Sequence, residues 1–195
     1  MKDTFNEIAL QPDDALLVVD VQRDFLPGGA LAVLDGDAVV APLSVWIRRF
    51  VAAGRPVFAT RDWHPADHCS FAPQGGPWPP HCIAASPGAE LAPGLELPVA
   101  AASIVSKATQ RAADAYSGFE GTDLDARLRA SGVRRLFVGG LATDYCVLNT
   151  VQDALRLGYR VVLLVDCIRA VDVQAGDGAR ATVAMLAAGA VARRG

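Results

Sequence analysis

The chain has 195 residues, of which 52% are hydrophobic and 20% charged, with a formal net charge of -3. That balance excludes a disordered chain, which joins low hydrophobicity to high net charge, and it lacks the basic surplus of an electrostatic nucleic-acid binder. No apolar run approaches the ~20 residues of a membrane span, and the opening MKDTFNEIALQPDD holds no leader-like apolar stretch, so a soluble cytoplasmic domain without nucleic-acid or membrane partners is expected.

The first clear element is ALLVVD, Ala15 to Asp20, an apolar run suited to a buried strand. A Pro/Gly loop, DFLPGGAL, follows. From Ala38 the apolar residues Val39, Val40, Leu43, Trp46, Ile47, Phe50 and Val51 recur every three or four positions, which predicts a helix that Gly54 ends. Pro56 opens a second strand, PVFAT. Residues 61–102 hold most of the prolines and many glycines, and an irregular segment of that length inside a compact domain is usually functional. Alternation then returns: SIVSK as a strand, Leu124 to Ala130 as a helix, RRLFVGG as a strand, Asp144 to Leu157 as a helix. RVVLLVD is a further strand, Gly178 to Ala188 the last helix, and Ala190 to Ala192 a terminal edge strand.

Strands that are apolar throughout and alternate with helices imply a mainly parallel sheet covered on both faces. The expected fold is therefore a three-layer α/β/α sandwich with five or six strands, one domain over residues 1–195 with a Pro-rich insertion at about 61–102. In such sheets ligands bind beyond the carboxyl ends of the strands. Asp20, Lys107 and Cys146 follow or close strands, as do Asp62 and His64. A cysteine in a first helical turn has its pKa lowered by the helix N-terminus and sits beside N–H groups able to hold an oxyanion. A carboxylate could take its proton while a lysine stabilises the anions formed. Taken singly, Cys146 is equally a buried inert thiol, Asp20 a turn cap and Lys107 a solvated charge. Cys69, Cys82 and Cys167 read as reduced thiols.

All three histidines fall between positions 64 and 81, in RDWHPADH and WPPHC. Asp62 and His64, two apart, point to one side of an extended segment; His68 and His81 could join them to bind zinc, iron(II), manganese or cobalt. Locally hydrogen-bonded loop histidines are the plain alternative. A Cys2His2 site from His68-Cys69 and His81-Cys82 has the wrong spacing and leaves Asp62 and His64 without a role. Gly28-Gly29 and Gly139-Gly140 match no phosphate-binding fingerprint.

Together LLVVDVQRDFLPGGAL, TRDWHPADHCSF, WPPHC, SKATQ, YSGFEGTDL and GLATDYCVLNTVQDALRLGY resemble the nicotinamidase/pyrazinamidase branch of the isochorismatase-like cysteine hydrolases. The resemblance implies Cys146 as nucleophile, Asp20 as general base and acid, and Lys107 as the third catalytic member. It implies Asp62, His64 and His81 as metal ligands with His68 as a further one, and one divalent ion (Zn2+, Fe2+ or Mn2+) that meets the pyridine nitrogen directly or through water. Phe25 and Trp78 would sandwich the ring, with Tyr116 also in the pocket. Leu141–Ala142 would be a cis peptide, and the N–H groups of Ala142 and Cys146 would form the oxyanion hole. The implied reaction is deamidation of nicotinamide, and of pyrazinamide, through a cysteine thioester, in pyridine nucleotide salvage, by a monomer or homo-oligomer. A related amidase acting on a carbamoyl or ureido substrate is the alternative.

Overall fold

The structure, a computed structural model, describes residues 9–98 and 102–194; most of the opening segment and the end of the Pro-rich loop lie outside the described residues. Six strands, β1 (Asp14–Val19), β2 (Val57–Asp62), β3 (Ala102–Lys107), β4 (Arg135–Leu141), β5 (Arg160–Arg169) and β6 (Val191–Arg193), form one sheet in the order β3-β2-β1-β4-β5-β6. Every pairing is parallel. Helices are α1 (Val40–Ala52), α2 (Leu124–Ala130), α3 (Leu148–Arg156) and α4 (Asp177–Ala187). All six residues of β1 are buried, which explains its unbroken apolar sequence: both faces of the sheet are covered. Leu43, Trp46, Ile47 and Phe50 of α1 pack with Leu16, Val18, Phe137 and Val162 on one face. Leu124 and Leu128 of α2, Val151 of α3 and Met185 of α4 pack with Leu17, Val138 and Leu163 on the other. The expected three layers are therefore present, with the full six strands.

Several elements differ from their expected extents: α1 starts at Val40 after a short 3-10 turn, Gly36–Val39, and β2 runs on to Asp62. Strand β5 continues past Asp166 to Arg169, because a register shift between Val138 and Gly140 lets pairing resume beyond the irregularity. Ahead of α3 the chain forms a π-type turn, Thr143–Val147, in which the Val147 N–H reaches back five residues to the Ala142 carbonyl at 3.1 Å. The Leu141–Ala142 peptide is cis.

Strands β1 and β4 lie side by side while their outgoing connections run to opposite sides, so the crevice of the sheet opens between their carboxyl ends. Their register is anchored at the other end, where the Arg135 guanidinium grips the buried Asp14 carboxylate at 2.6 and 2.7 Å. Near the crevice the strands approach closely at Gly140. Its φ is +137°, and a Cβ there would stand 2.0 Å from the Val19 carbonyl oxygen. Gly140→Ala should therefore cost at least ~3 kcal/mol, combining forbidden backbone geometry with a backbone clash. A urea melt that places the variant within about 1 kcal/mol of the parent would contradict this.

Candidate active site

Four strand ends converge at the crevice. Asp20 follows β1 in a left-handed conformation, φ 47°, which aspartate tolerates better than most residues. Asp62 and Lys107 are the last residues of β2 and β3 and are register partners. Cys146 comes from the π-type turn after β4.

Lys107 ties the group together. Its Nζ, fully buried, donates to Asp62 Oδ1 at 2.5 Å, to the Ala115 carbonyl at 3.0 Å and to Cys146 Sγ at 3.4 Å. Asp20 Oδ2 lies 3.1 Å from the same nitrogen, yet no hydrogen bond of good alignment reaches that oxygen. Asp20 Oδ1 accepts from Thr60 Oγ1 at 2.7 Å, so Oδ2 is the carboxylate oxygen left available. Oxygens of Asp20 and Asp62 and the Cys146 sulfur all lie within 4.8 Å of one another, and the Lys107 ammonium already supplies the positive charge such a trio would attract.

Burial lifts the Asp20 carboxyl to about 6, with Lys107 pulling against it. The group is thus ionised at neutral pH but more basic than an exposed carboxylate. Burial alone would lower Lys107, but Asp20 and Asp62 hold it charged, well above its ordinary range. Cys146 departs from the sequence expectation. Burial pushes its thiol up more than Lys107 can lower it, so the resting group is a thiol and needs a base.

Beside this trio stand His64 and His81, and one ligand atom each from Asp62, His64 and His81 lies within 4.8 Å of the others, all three buried. Carbonyl oxygens only accept, so Nδ1 of His64, 3.1 Å from the His81 carbonyl, carries a proton; so does Nδ1 of His81, 2.8 Å from the Pro79 carbonyl. Each ring is thereby fixed with the Nε2 lone pair exposed, the orientation that backbone partners give to histidine ligands. Burial lowers His64 to about 4, keeping it neutral as a ligand must be, and Asp62, which burial alone would raise, is held below the usual carboxylate range by Lys107 and His64. Two imidazoles and a carboxylate with further open positions fit a divalent transition metal. His68 packs on His64 with ring centroids 4.5 Å apart, but both of its nitrogens are engaged: Nε2 with the Ala113 carbonyl at 3.1 Å, Nδ1 with Ser70 Oγ at 2.7 Å. Cys69 and Cys82 join no metal-competent group among the described residues, and all four cysteines are free.

A pocket enclosing about 420 Å3, its mouth included, opens above these groups. Phe25, Trp78, Tyr116, Ala142 and Cys146 line it with His64, His81 and Asp62. Trp78 Nε1 donates to the Tyr116 hydroxyl at 3.0 Å.

Other residues escaped the sequence reading. Tyr145 lines the pocket and meets Trp78 edge-on at 4.9 Å; its position next to Cys146 was the available signal. Gln22 is fully buried and clamps Asp62 from both sides, accepting its N–H at 2.7 Å and donating to its carbonyl at 2.8 Å. Asp24 Oδ2 accepts the Cys82 N–H at 2.7 Å and so holds the segment carrying His81.

Known proteins are similar to this chain in sequence and in fold. The profile of the Isochorismatase domain matches residues 14–193. A nicotinamidase of Escherichia coli is 43% identical over 92% of this chain and 93% of its own length. The crystal structure of pyrazinamidase of Pyrococcus horikoshii in complex with zinc superposes with a TM-score of 0.90 at 47% identity, covering 94% of this chain and all (100%) of that one. The PnC1 of L. infantum, in complex with nicotinate, gives a TM-score of 0.85 at 36% identity, covering 96% of each chain. Ureidoacrylate amidohydrolase of Pseudomonas syringae matches more weakly, 32% identical over 79% of this chain and 69% of its own.

Proposed function

The chain belongs to the isochorismatase domain family, and from that premise we propose that it is a metal-dependent nicotinamidase, hydrolysing nicotinamide to nicotinate and ammonia and acting on pyrazinamide as well. The observation that carries this reading is one lysine nitrogen in contact with a thiol and two carboxylates, beneath an aromatic pocket and beside an Asp/His/His group.

In the reaction, Asp20 takes the proton from Cys146, and Lys107 stabilises the thiolate as it forms. The thiolate attacks the carboxamide carbon, and the N–H groups of Ala142 and Cys146 receive the negative oxygen. Asp20 then passes its proton to the departing nitrogen, releasing ammonia and leaving a thioester. Water attacks the thioester after giving a proton to Asp20, nicotinate leaves, and that proton returns to sulfur. Asp62, His64 and His81 would hold a divalent ion, which when bound would supply Lewis acidity toward a ring nitrogen and so favour amides of such rings. His68, whose ligand atoms also lie near those of His64 and Asp114, would join them by giving up its bond to the Ala113 carbonyl or to Ser70 Oγ. Phe25 and Trp78 hold the ring between them.

We assign these roles to one domain spanning the chain, with the 61–102 segment as its metal and ring-binding insertion. Zinc, iron(II) or manganese would each suit the donor set. No helix among the described residues is long and apolar enough to cross a membrane. A cytoplasmic monomer or homo-oligomer fits the composition. Relatives that cleave ureido substrates match less closely, so that alternative is the weaker one.

The test is ammonia release from nicotinamide before and after chelation. Stripping should reduce turnover at least ~100-fold, and one of Zn2+, Fe2+ or Mn2+ should restore it, since orientation is worth orders of magnitude. Turnover indifferent to metal would refute the metal's part; no release with any of these ions would refute the substrate.

A further inference from the structure

The pocket has two sides built on opposite faces of the sheet. Phe25 belongs to the apolar cluster of the α1 face, against which Leu31 and Val171 also pack. Tyr116 and Tyr145 belong to the cluster of the opposite face, and Trp78 leans on both of them. A flat ring must enter between these sides, so their separation decides how well it is gripped.

One side chain joins them. Asp144, in the turn that also carries Tyr145 and Cys146, accepts the Val171 N–H on Oδ1 and the Asp172 N–H on Oδ2, both at 2.9 Å. Asp172 is itself fixed: its φ is 52°, and its Oδ1 accepts the Gly178 N–H at 2.7 Å at the start of α4. The segment after β5 is thus held between the nucleophile's turn and α4, with Val171 facing the pocket. We propose that Asp144 is a positioning residue that sets the width of the ring slot by latching Val171 to the turn bearing Tyr145 and Cys146. It touches neither substrate nor metal ligands. This inference rests on the nicotinamidase reading and adds a determinant of its substrate affinity.

Asparagine is the informative replacement. It keeps the shape but offers one acceptor oxygen, and its amide nitrogen would confront an N–H donor. Asp144→Asn should raise KM for nicotinamide about tenfold and leave kcat within about threefold, the signature of lost binding rather than lost chemistry. Val171→Ala keeps both backbone N–H groups and removes only the side chain against the ring; it should raise KM similarly. Because the two act through one contact, the double variant should lose no more than the worse single variant. Hydrogen exchange should accelerate at the Val171 and Asp172 amides in Asp144→Asn and remain unchanged at Leu16 and Leu17 in the sheet centre.

An unchanged KM, a fall in kcat alone, or multiplying effects in the double variant would overturn the proposal. If the unaltered protein releases no ammonia from nicotinamide, the functional reading fails, while the exchange measurement still decides whether the latch exists. Unaltered exchange at both amides would show that it does not.

Discussion

Cys146→Ala should abolish ammonia release from nicotinamide, lowering kcat at least ~10^4-fold, because removal of an activated nucleophile leaves only positioning and oxyanion contacts. The same protein should retain its metal at the parent's stoichiometry. The donor set of Asp62, His64 and His81 excludes the sulfur, and both imidazoles are oriented by backbone carbonyls that the substitution leaves in place. Elemental analysis beside a turnover assay separates the two effects. Metal lost together with activity would mean that the thiol helps hold the ion, and the division of labour proposed here would be wrong. The fold should survive, since the vacancy is a single sulfur beside an ammonium that keeps Asp62 and the Ala115 carbonyl as partners.

Asp20→Asn should be nearly as damaging, with kcat reduced ~10^3-fold, inside the range seen for loss of a general acid–base. The substitution preserves more than alanine would. Asparagine accepts the Thr60 hydroxyl as aspartate does and tolerates the left-handed backbone at this position, where φ is 47°. What it removes is a carboxylate that burial has made more basic, to about 6, and that keeps one oxygen free of good hydrogen bonds. Lys107 stays neutralised by Asp62, so the defect is one of proton transfer. KM should change little, since Asp20 does not line the ring pocket. A variant retaining more than a tenth of parental kcat would assign the base to another group.

The sequence carried the fold wherever a single local rule operated. Unbroken apolar runs such as ALLVVD become strands covered on both faces, and the three-to-four spacing from Leu43 to Phe50 becomes the buried stripe of α1, with Val39 in the turn before it and Val51 exposed. The rule that ligands gather at strand ends located Asp20, Asp62, Lys107 and Cys146 because each sits within a few residues of an apolar run. The clustered histidines beside Asp62 were visible for the same reason: residue type and spacing are properties of the chain itself.

Partnerships between distant segments were not legible. Gln22 is an ordinary polar residue until β1 and β2 pair and bring the Asp62 backbone to it, 40 residues away. Asp144 reads as a helix-start residue until β5 returns and presents Val171 and Asp172 27 and 28 residues on. The π-type turn looked like the start of a regular helix, because one extra residue in a turn leaves no mark on apolar spacing. The state of Cys146 turned on the same distinction. A helix start lowers a thiol's pKa, a local effect, whereas burial among packed strands raises it, and here burial prevails. Residue types and their order thus determined the strands, the helices and which side chains lie near the crevice. Tertiary packing alone decided which of them touch, which protons they hold and how wide the slot between the two aromatic sides stands, since those depend on distances closed only when the sheet assembles.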